Sequence, residues 1–127
     1  MISMLNEHIE DAEFLYRRII LNPNFWDFEK QRPSSAIFKD SNGVSVDRQH
    51  KRVDNDIIEE YKTFEIRGII KILTAVCREL DTYPVYRPIP DNIYHCEIHD
   101  SILKVQISSS KAKKLRDSSI LVSMKDA

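Results

Sequence analysis

The chain has 127 residues, a formal net charge of −1 and 42% hydrophobic residues. This length fits one domain, and the balanced charge argues against bulk electrostatic binding to nucleic acid. Only two glycines are present, Gly43 and Gly68, where average usage would give about nine. P-loops, dinucleotide fingerprints and nucleophile elbows each need several glycines close together, so all three are excluded. We therefore expect a protein without a cofactor.

Several features of the sequence bear on where the protein resides. The N-terminal residues turn acidic where a signal peptide would be apolar, and no apolar run approaches the roughly 18 residues of a membrane span. The two cysteines, Cys77 and Cys96, form no CxxC pair. These features predict a cytoplasmic protein with reduced thiols and no membrane partner. Isoleucine far outnumbers alanine, which is typical of AT-rich coding and indicates a bacterial origin.

In the first half of the chain, apolar spacing predicts a helix over 3–13, a strand over 14–21 and an aromatic loop over 22–33. Residues 34–47 predict a β-hairpin, because two short β-prone runs flank Asn42-Gly43, the preferred pair of a type I′ turn.

In the second half, helical and alternating patterns follow one another between turn residues. They predict a helix over 54–64, a strand over 66–76 with an irregularity at Gly68, a helical turn over 77–81, an edge strand or an extended loop over 83–90, a strand pair at 93–99 and 102–107, a serine-capped basic helix over 108–117 and a last strand over 120–124. The whole predicts one α+β domain spanning 1–127, with a mixed, mainly antiparallel sheet of about five to seven strands and about three helices.

Arginines and serines recur through the first half of the chain. Guanidinium forks and hydroxyls suit a phosphate or carboxylate ligand. The catalytic candidates are Arg17, Ser34 and His95. We expect His95 to be the general base, since histidine titrates near neutrality. The anion-binding candidates are Ser35, Arg32 and Arg48, and the wider group also contains Arg18 and Ser45.

An arginine on an early strand followed by a serine-rich strand resembles the Arg–Ser–Glu layout of ADP-ribosyltransferases. In that family the arginine holds the nicotinamide cofactor, and a late glutamate in a Glu-x-Glu or Gln-x-Glu pair is catalytic. The resemblance covers about a third of the chain. The resemblance implies that Arg17 would hold the nicotinamide cofactor. The Glu-x-Glu or Gln-x-Glu motif is missing, and Glu97 is the one glutamate on a late predicted strand.

His95, Glu97 and His99 alternate along a predicted strand, so their side chains share one face. Two imidazoles and a carboxylate are metal-ligand types. An ordinary polar strand face gives the same pattern, and it is the interpretation we favour. The sequence leaves the metal site open as the alternative.

Two further features favour a partner. The basic helix carries Lys111 and Lys114 near its serine-rich start, and there it could meet an anion, a nucleic acid or an acidic protein. The loop aromatics Phe25 and Trp26 either anchor a partner or fold back onto the core, which is the more common fate of such residues.

These features support two functions. The first is a small cytoplasmic bacterial accessory module that binds a partner protein or nucleic acid, with a defence or toxin–antitoxin cassette as its context. The alternative is a small nucleotide- or phosphate-handling enzyme with an Arg/Ser/His pocket. The alternative requires Arg17, Ser34 and His95 to line one concavity.

Overall fold

An antiparallel sheet of six strands organises the chain in the computed structural model, which describes residues 5–125. Over these residues eight strands follow one another: β1 (Phe14–Ile20), β2 (Trp26–Asp27), β3 (Arg32–Pro33), β4 (Val44–Arg48), β5 (Ile66–Leu73), β6 (Tyr83–Tyr86), β7 (His95–His99) and β8 (Ile120–Met124). The main sheet has the order β6-β7-β4-β1-β5-β8, and β2 and β3 pair in a separate two-stranded ribbon.

In the described part of the chain, three α-helices accompany the sheet: α1 (Asp54–Glu60), α2 (Thr74–Glu79) and α3 (Ser109–Ser118). Short 3-10 helices lie at Pro23–Phe25, Ser35–Phe38 and Tyr61–Thr63. The chain is thus a single α+β domain, as the sequence predicts. Within residues 5–125, no helix combines the length and apolar character needed to cross a membrane.

The two faces of the sheet bury different cores, because alternate residues of β1 point in opposite directions. Leu15 and Ile19 belong to the larger cluster, which also contains Trp26 and the inward residues of α3. Tyr16 belongs to a smaller cluster with Ile57 of α1. The sheet therefore separates a large apolar side from a side that α1 covers only in part.

Several predicted elements are confirmed. The strands at Phe14–Ile20 and Ile120–Met124 form. The strand predicted over 66–76 ends at Leu73, because α2 begins at Thr74, and the edge strand predicted over 83–90 is confined to Tyr83–Tyr86. Ser108 caps α3, because its side chain accepts a hydrogen bond from the backbone amide of Lys111. At Gly68 the register of β1 and β5 shifts, and a Cβ there would lie 2.5 Å from the carbonyl oxygen of Ser123. Both the irregularity and the close backbone approach are present.

The predicted helix over 3–13 is wrong from residue 5 onward, and residues 3 and 4 lie outside the described part. The Asn6 side chain accepts the amide of His8, and the Arg48 guanidinium binds the carbonyls of Asn6 and His8. Side chains thus satisfy backbone groups that a helix would otherwise pair. Ile9 still reaches the core, at 2% exposure.

The hairpin over 34–47 is also wrong, although its turn exists. Ile37 and Phe38 are consecutive and both fully buried, which a 3-10 helix packed against α3 achieves and a one-sided strand does not. Asp40–Gly43 closes as a turn, in which Gly43 alone has a positive φ of 99°. The type I′ turn is therefore not formed.

The predicted strand over 102–107 is the third error. The hydroxyl of Ser101 accepts the amides of Leu103 and Lys104, which folds the segment into a tight turn. Leu103 sits at the tip of that turn, 97% exposed. Local hydroxyl–amide bonds have outcompeted the β-branched pattern.

Candidate active site

A cleft of about 410 Å³ opens where β1 and β4 separate. These neighbours pair only at Leu15–Arg48 and Tyr16–Asp47, and the ladder ends there. The volume of the cleft falls in the range of small-ligand pockets. The lining residues are Arg17, Arg18, Ile20, Phe25, Asp40, Ser45, Val46, Asp47, Tyr61, Ile89, Asn92 and His95.

Arg17 bridges the gap between the separated strands. Its Nη1 donates to the carbonyl of Ser45 at 2.9 Å, and its Nε donates to the carbonyl of Ile37 at 3.0 Å. Burial lowers the pKa of this guanidinium to about 10, which still leaves it charged at neutral pH. Within residues 5–125 its Nη2 has no hydrogen-bond acceptor, so this donor remains for a ligand.

Arg18 presents a second guanidinium to the cleft. Its central carbon lies 4.0 Å from the ring centroid of Phe64 and 5.5 Å from that of Tyr61. Stacking on these rings fixes the plane of the group. No carboxylate or carbonyl among the described residues accepts a hydrogen bond from it, so its donor edge is available.

Ser45 and His95 form a hydrogen-bonded pair on the cleft wall. His95 Nε2 lies 3.2 Å from Ser45 Oγ, and its Nδ1 lies 2.8 Å from the carbonyl oxygen of Arg87. A carbonyl only accepts, so the neutral ring carries its proton on Nδ1, and Nε2 is left to accept from the hydroxyl. The pair has the geometry of a nucleophile and a base, with the base oriented by a third group.

A buried carboxylate fixes the floor of the cleft. Asp47 accepts hydrogen bonds from the Tyr61 hydroxyl and, at 2.6 Å, from Asn92 Nδ2. Burial, reinforced by the charge of Asp47, raises the pKa of Tyr61 far above its ordinary value, so the phenol remains a donor. Both oxygens of Asp47 are thus engaged in holding Tyr61, which follows α1, and the 87–95 connection in place.

His95, Glu97 and His99 alternate along β7, but only Glu97 and His99 contact each other, while His95 contacts Arg87 and Ser45. His99 Nε2 lies 2.8 Å from Glu97 Oε1, and Arg87 approaches the same oxygen at 3.5 Å. The Nδ1 of His95 is occupied by a carbonyl. Among residues 5–125, no three histidine, cysteine, aspartate or glutamate side chains converge to hold a metal ion.

The other predicted ligand residues lie outside the cleft. Ser34 donates its hydroxyl to the carbonyl of Asn24, and Ser35 begins the 3-10 helix. Since 35–38 is not a strand, the serine-rich strand behind the resemblance to ADP-ribosyltransferases is not formed. Arg32 lines a different cavity with Arg116. The cleft therefore contains Arg17 and His95 without Ser34, so the Arg17–Ser34–His95 pocket that the predicted enzyme requires is not formed.

Arg48 is a structural residue, 2% exposed. Its Nε and Nη2 pair with the two carboxylate oxygens of Glu13 at 2.8 and 2.9 Å. The remaining donors reach the carbonyls of Asn6 and His8. These contacts leave it no role as an anion ligand in the folded protein.

The basic helix and the aromatic loop differ from the predictions in part. Lys111 Nζ contacts the carbonyl of Asp81 and both the carbonyl and the carboxylate of Asp100, whereas Lys114 stays exposed. Trp26 is 8% exposed and belongs to the core, and Phe25 packs against that core. The loop aromatics therefore fold back onto the core, and Trp26 is too buried to anchor a partner.

Sequence reasoning did not assign roles to Asp47, Tyr61 or Asn92. The alternation Val44-Ser45-Val46-Asp47 carries a signal for Asp47, because the two polar residues share the face opposite the valines. Tyr61 and Asn92 reach the cleft from distant segments, and no local pattern marks them.

Comparison of the chain with protein-family models, characterised proteins and solved structures finds no match.

Proposed function

We propose that the chain is a small enzyme that cleaves an ester bond in a substrate bearing a phosphate or carboxylate group. The observation that carries this proposal is the Ser45–His95 pair, placed in a cleft that also holds two arginines. A serine, an oriented histidine and positive charge are the parts that nucleophilic ester cleavage requires.

The chemical roles follow from the contacts. As Ser45 Oγ attacks the carbonyl carbon of the ester, His95 Nε2 accepts the hydroxyl proton. The carbonyl of Arg87 holds the ring in the required tautomer and stabilises the imidazolium that forms. His95 then protonates the leaving alkoxide, and a water molecule activated in the same way releases the acyl group from Ser45.

The two arginines stabilise different negative charges. Arg17 is anchored beside Ser45 through the carbonyl of that residue, and we assign its unengaged Nη2 to the carbonyl oxygen of the ester under attack. There it would stabilise the developing oxyanion in place of backbone amides from a glycine-rich loop. Arg18, with an unengaged donor edge, would hold the anionic group of the substrate.

A matched pair of chromogenic esters tests this assignment. The 4-nitrophenyl esters of butyric acid and succinic acid have similar acyl chains, but only the second carries a carboxylate. We expect kcat/KM to favour the succinate ester by about tenfold or more, the contribution of one charge-assisted contact. Arg18→Gln should erase that preference, while Ser45→Ala should abolish turnover of both esters.

An exposed serine on α3 provides the control, and Ser109→Ala should leave both rates unchanged. Turnover that survives Ser45→Ala would contradict the nucleophile assignment. A preference for 4-nitrophenyl phosphate that ends in release of inorganic phosphate would replace ester cleavage at carbon by phosphoryl transfer.

The accessory-module function remains a second proposal, and one observation favours it. Strand β8 ends the sheet with apolar side chains exposed and its outer edge uncovered among residues 5–125. Its bacterial, cytoplasmic and defence-cassette context stays a prediction from composition, as does contact of the exposed Lys114 with nucleic acid.

A further inference from the structure

A second cavity, of about 380 Å³, lies between the β2–β3 ribbon, the end of α3 and strands β5 and β8. It shares no lining residue with the Ser45–His95 cleft. The volume of this cavity is also in the range of small-ligand pockets. What it could bind follows from the charged and apolar side chains in its lining.

Arg32 brings to this cavity a guanidinium without a hydrogen-bond acceptor. No oxygen among residues 5–125 accepts a hydrogen bond from its side chain, and its Nε is fully buried. A buried donor without an acceptor is costly and therefore rare in folded proteins. The charge of a guanidinium is delocalised over its three nitrogens, so an anion against the Nη groups would compensate it.

Arg67 shows how the protein treats the other such group in the described part of the chain, since its Nε is also buried without an acceptor. Its central carbon lies 5.5 Å from the ring centroid of Trp26 and 5.0 Å from that of Phe28. Stacking on two rings compensates that cation. No aromatic ring among residues 5–125 stacks on Arg32 in this way, so Arg32 is the guanidinium left for a ligand.

Arg116 supplies a second guanidinium to the cavity. Its side chain is 14% exposed, and its Nε donates to Asp117 at 2.9 Å, while its Nη groups have no acceptor among the described residues. Its carbonyl, at the negative end of α3, is covered by the amide and the hydroxyl of Ser119. With Arg32, the lining carries two positive charges and one negative charge, which favours a ligand with a single negative charge.

The cavity also has an apolar wall. Ile70 of β5 and Leu121 of β8 are register partners, so their side chains are neighbours on the sheet, and both line the cavity together with Pro33. Leu121 is 49% exposed, and a ligand in the cavity would cover it. A hydrocarbon chain therefore has surface to bury in the same cavity as the two guanidinium groups.

We propose that this cavity binds a monocarboxylate with a short aliphatic chain. The carboxylate contacts Arg32 and Arg116, and the chain packs on Ile70 and Leu121. A phosphate monoester fits less well, because its second negative charge would add to that of Asp117 in the same lining. The site is separate from the Ser45–His95 cleft, so the inference does not rest on ester cleavage.

Titration of the isotope-labelled full chain with sodium hexanoate, followed by nuclear magnetic resonance, tests the site. The Nε–Hε signal of Arg32 should shift in a saturable manner, with a dissociation constant of about 0.1–1 mM for so small a ligand. Hexanamide has nearly the same shape without the charge, and acetate has the charge without the chain. Each should bind at least about tenfold more weakly than hexanoate.

Arginine variants locate the carboxylate. Arg32→Gln and Arg116→Gln should each raise the dissociation constant for hexanoate about tenfold or more, with the Leu121 amide signal as the readout. Arg18→Gln is the matched control, because it removes the same charge from the other cleft, and it should leave this constant unchanged. Circular dichroism checks that every variant folds.

Three results would contradict the proposal. The absence of a saturable shift up to about 10 mM hexanoate overturns the site. An effect of Arg18→Gln as large as that of Arg32→Gln overturns it as well, because it places the ligand in the Ser45–His95 cleft. Tighter binding of hexyl phosphate than of hexanoate overturns the assignment of a monocarboxylate.

Discussion

Replacing Glu13 by glutamine removes the negative charge that compensates the buried guanidinium of Arg48. The two side chains are 8% and 2% exposed, and they meet through two hydrogen bonds. Glu13 also accepts the backbone amide of His50 at 2.9 Å. The substitution keeps the shape of the side chain but leaves Arg48 as a buried charge whose remaining partners are neutral oxygens, among them the carbonyls of Asn6 and His8.

Breaking one side of a buried ion pair costs about 3–5 kcal/mol. That is a large share of the roughly 5–15 kcal/mol by which a domain of this size is stable. With a urea m-value of about 2 kcal/mol per molar, Glu13→Gln should lower the unfolding midpoint by about 2 M. Urea titration followed by far-ultraviolet circular dichroism measures this shift.

The effect should depend on pH in a defined direction. Burial alone would raise the pKa of Glu13, but hydrogen bonds from Arg48 and from the His50 amide bring it below its ordinary value of 4.5. A carboxyl with a lowered folded-state pKa stabilises the fold fully above the unfolded value, and it loses that contribution as the pH falls through the folded value. The difference between wild type and variant should therefore be complete at pH 7 and shrink below about pH 4.5.

Glu10→Gln provides the comparison, because Glu10 is a nearby exposed carboxylate. It should change the free energy of unfolding by less than about 0.5 kcal/mol. A loss below about 1 kcal/mol in Glu13→Gln, or a loss that persists unchanged at about pH 3, would refute the assignment of Arg48 as a structural residue held by Glu13.

Three further outcomes follow from the same contacts. Tyr61→Phe should cost about 1.5–3 kcal/mol in urea unfolding, because the Asp47 carboxylate loses a buried donor, while Tyr83→Phe at an exposed tyrosine should cost almost nothing. Gly43→Ala should lower stability by about 1 kcal/mol or more in thermal unfolding, since φ is 99° and the new Cβ would lie 2.8 Å from Glu97 Oε1; a neutral result would contradict that geometry. Cys77 and Cys96 should resist Ellman's reagent at about pH 8 until urea is added, because burial raises the pKa of each thiol to about 12; rapid native labelling of either cysteine would contradict its burial.

The sequence predicts elements well where one periodicity dominates. The strands at 14–20 and 66–73 and the capped helix α3 are of this kind. It fails where side chains from elsewhere satisfy the backbone, as Arg48 does for Asn6 and His8. No local pattern within 3–13 records that contact, so apolar spacing alone predicts a helix.

In the candidate site too, local patterns predict some features, while others depend on tertiary contacts. The shared face of His95 and Glu97 follows from alternation, and Arg17 lines the cleft, while its predicted role there stays a prediction. The serine that meets His95 is Ser45 and not Ser34, because residues 35–38 fold as a 3-10 helix to bury both Ile37 and Phe38. Tyr61 and Asn92 converge on Asp47 only through the tertiary fold.

Reaction with a fluorophosphonate tests the Ser45–His95 pair most directly, because such reagents phosphonylate serines whose hydroxyl is activated by a base. Intact mass and peptide mapping should find a single adduct, on Ser45, that is absent from Ser45→Ala. His95→Gln should slow its formation by about a hundredfold or more, the usual contribution of a general base. Labelling that falls elsewhere, does not occur, or proceeds at the same rate without His95 would contradict the account of the cleft as an active site.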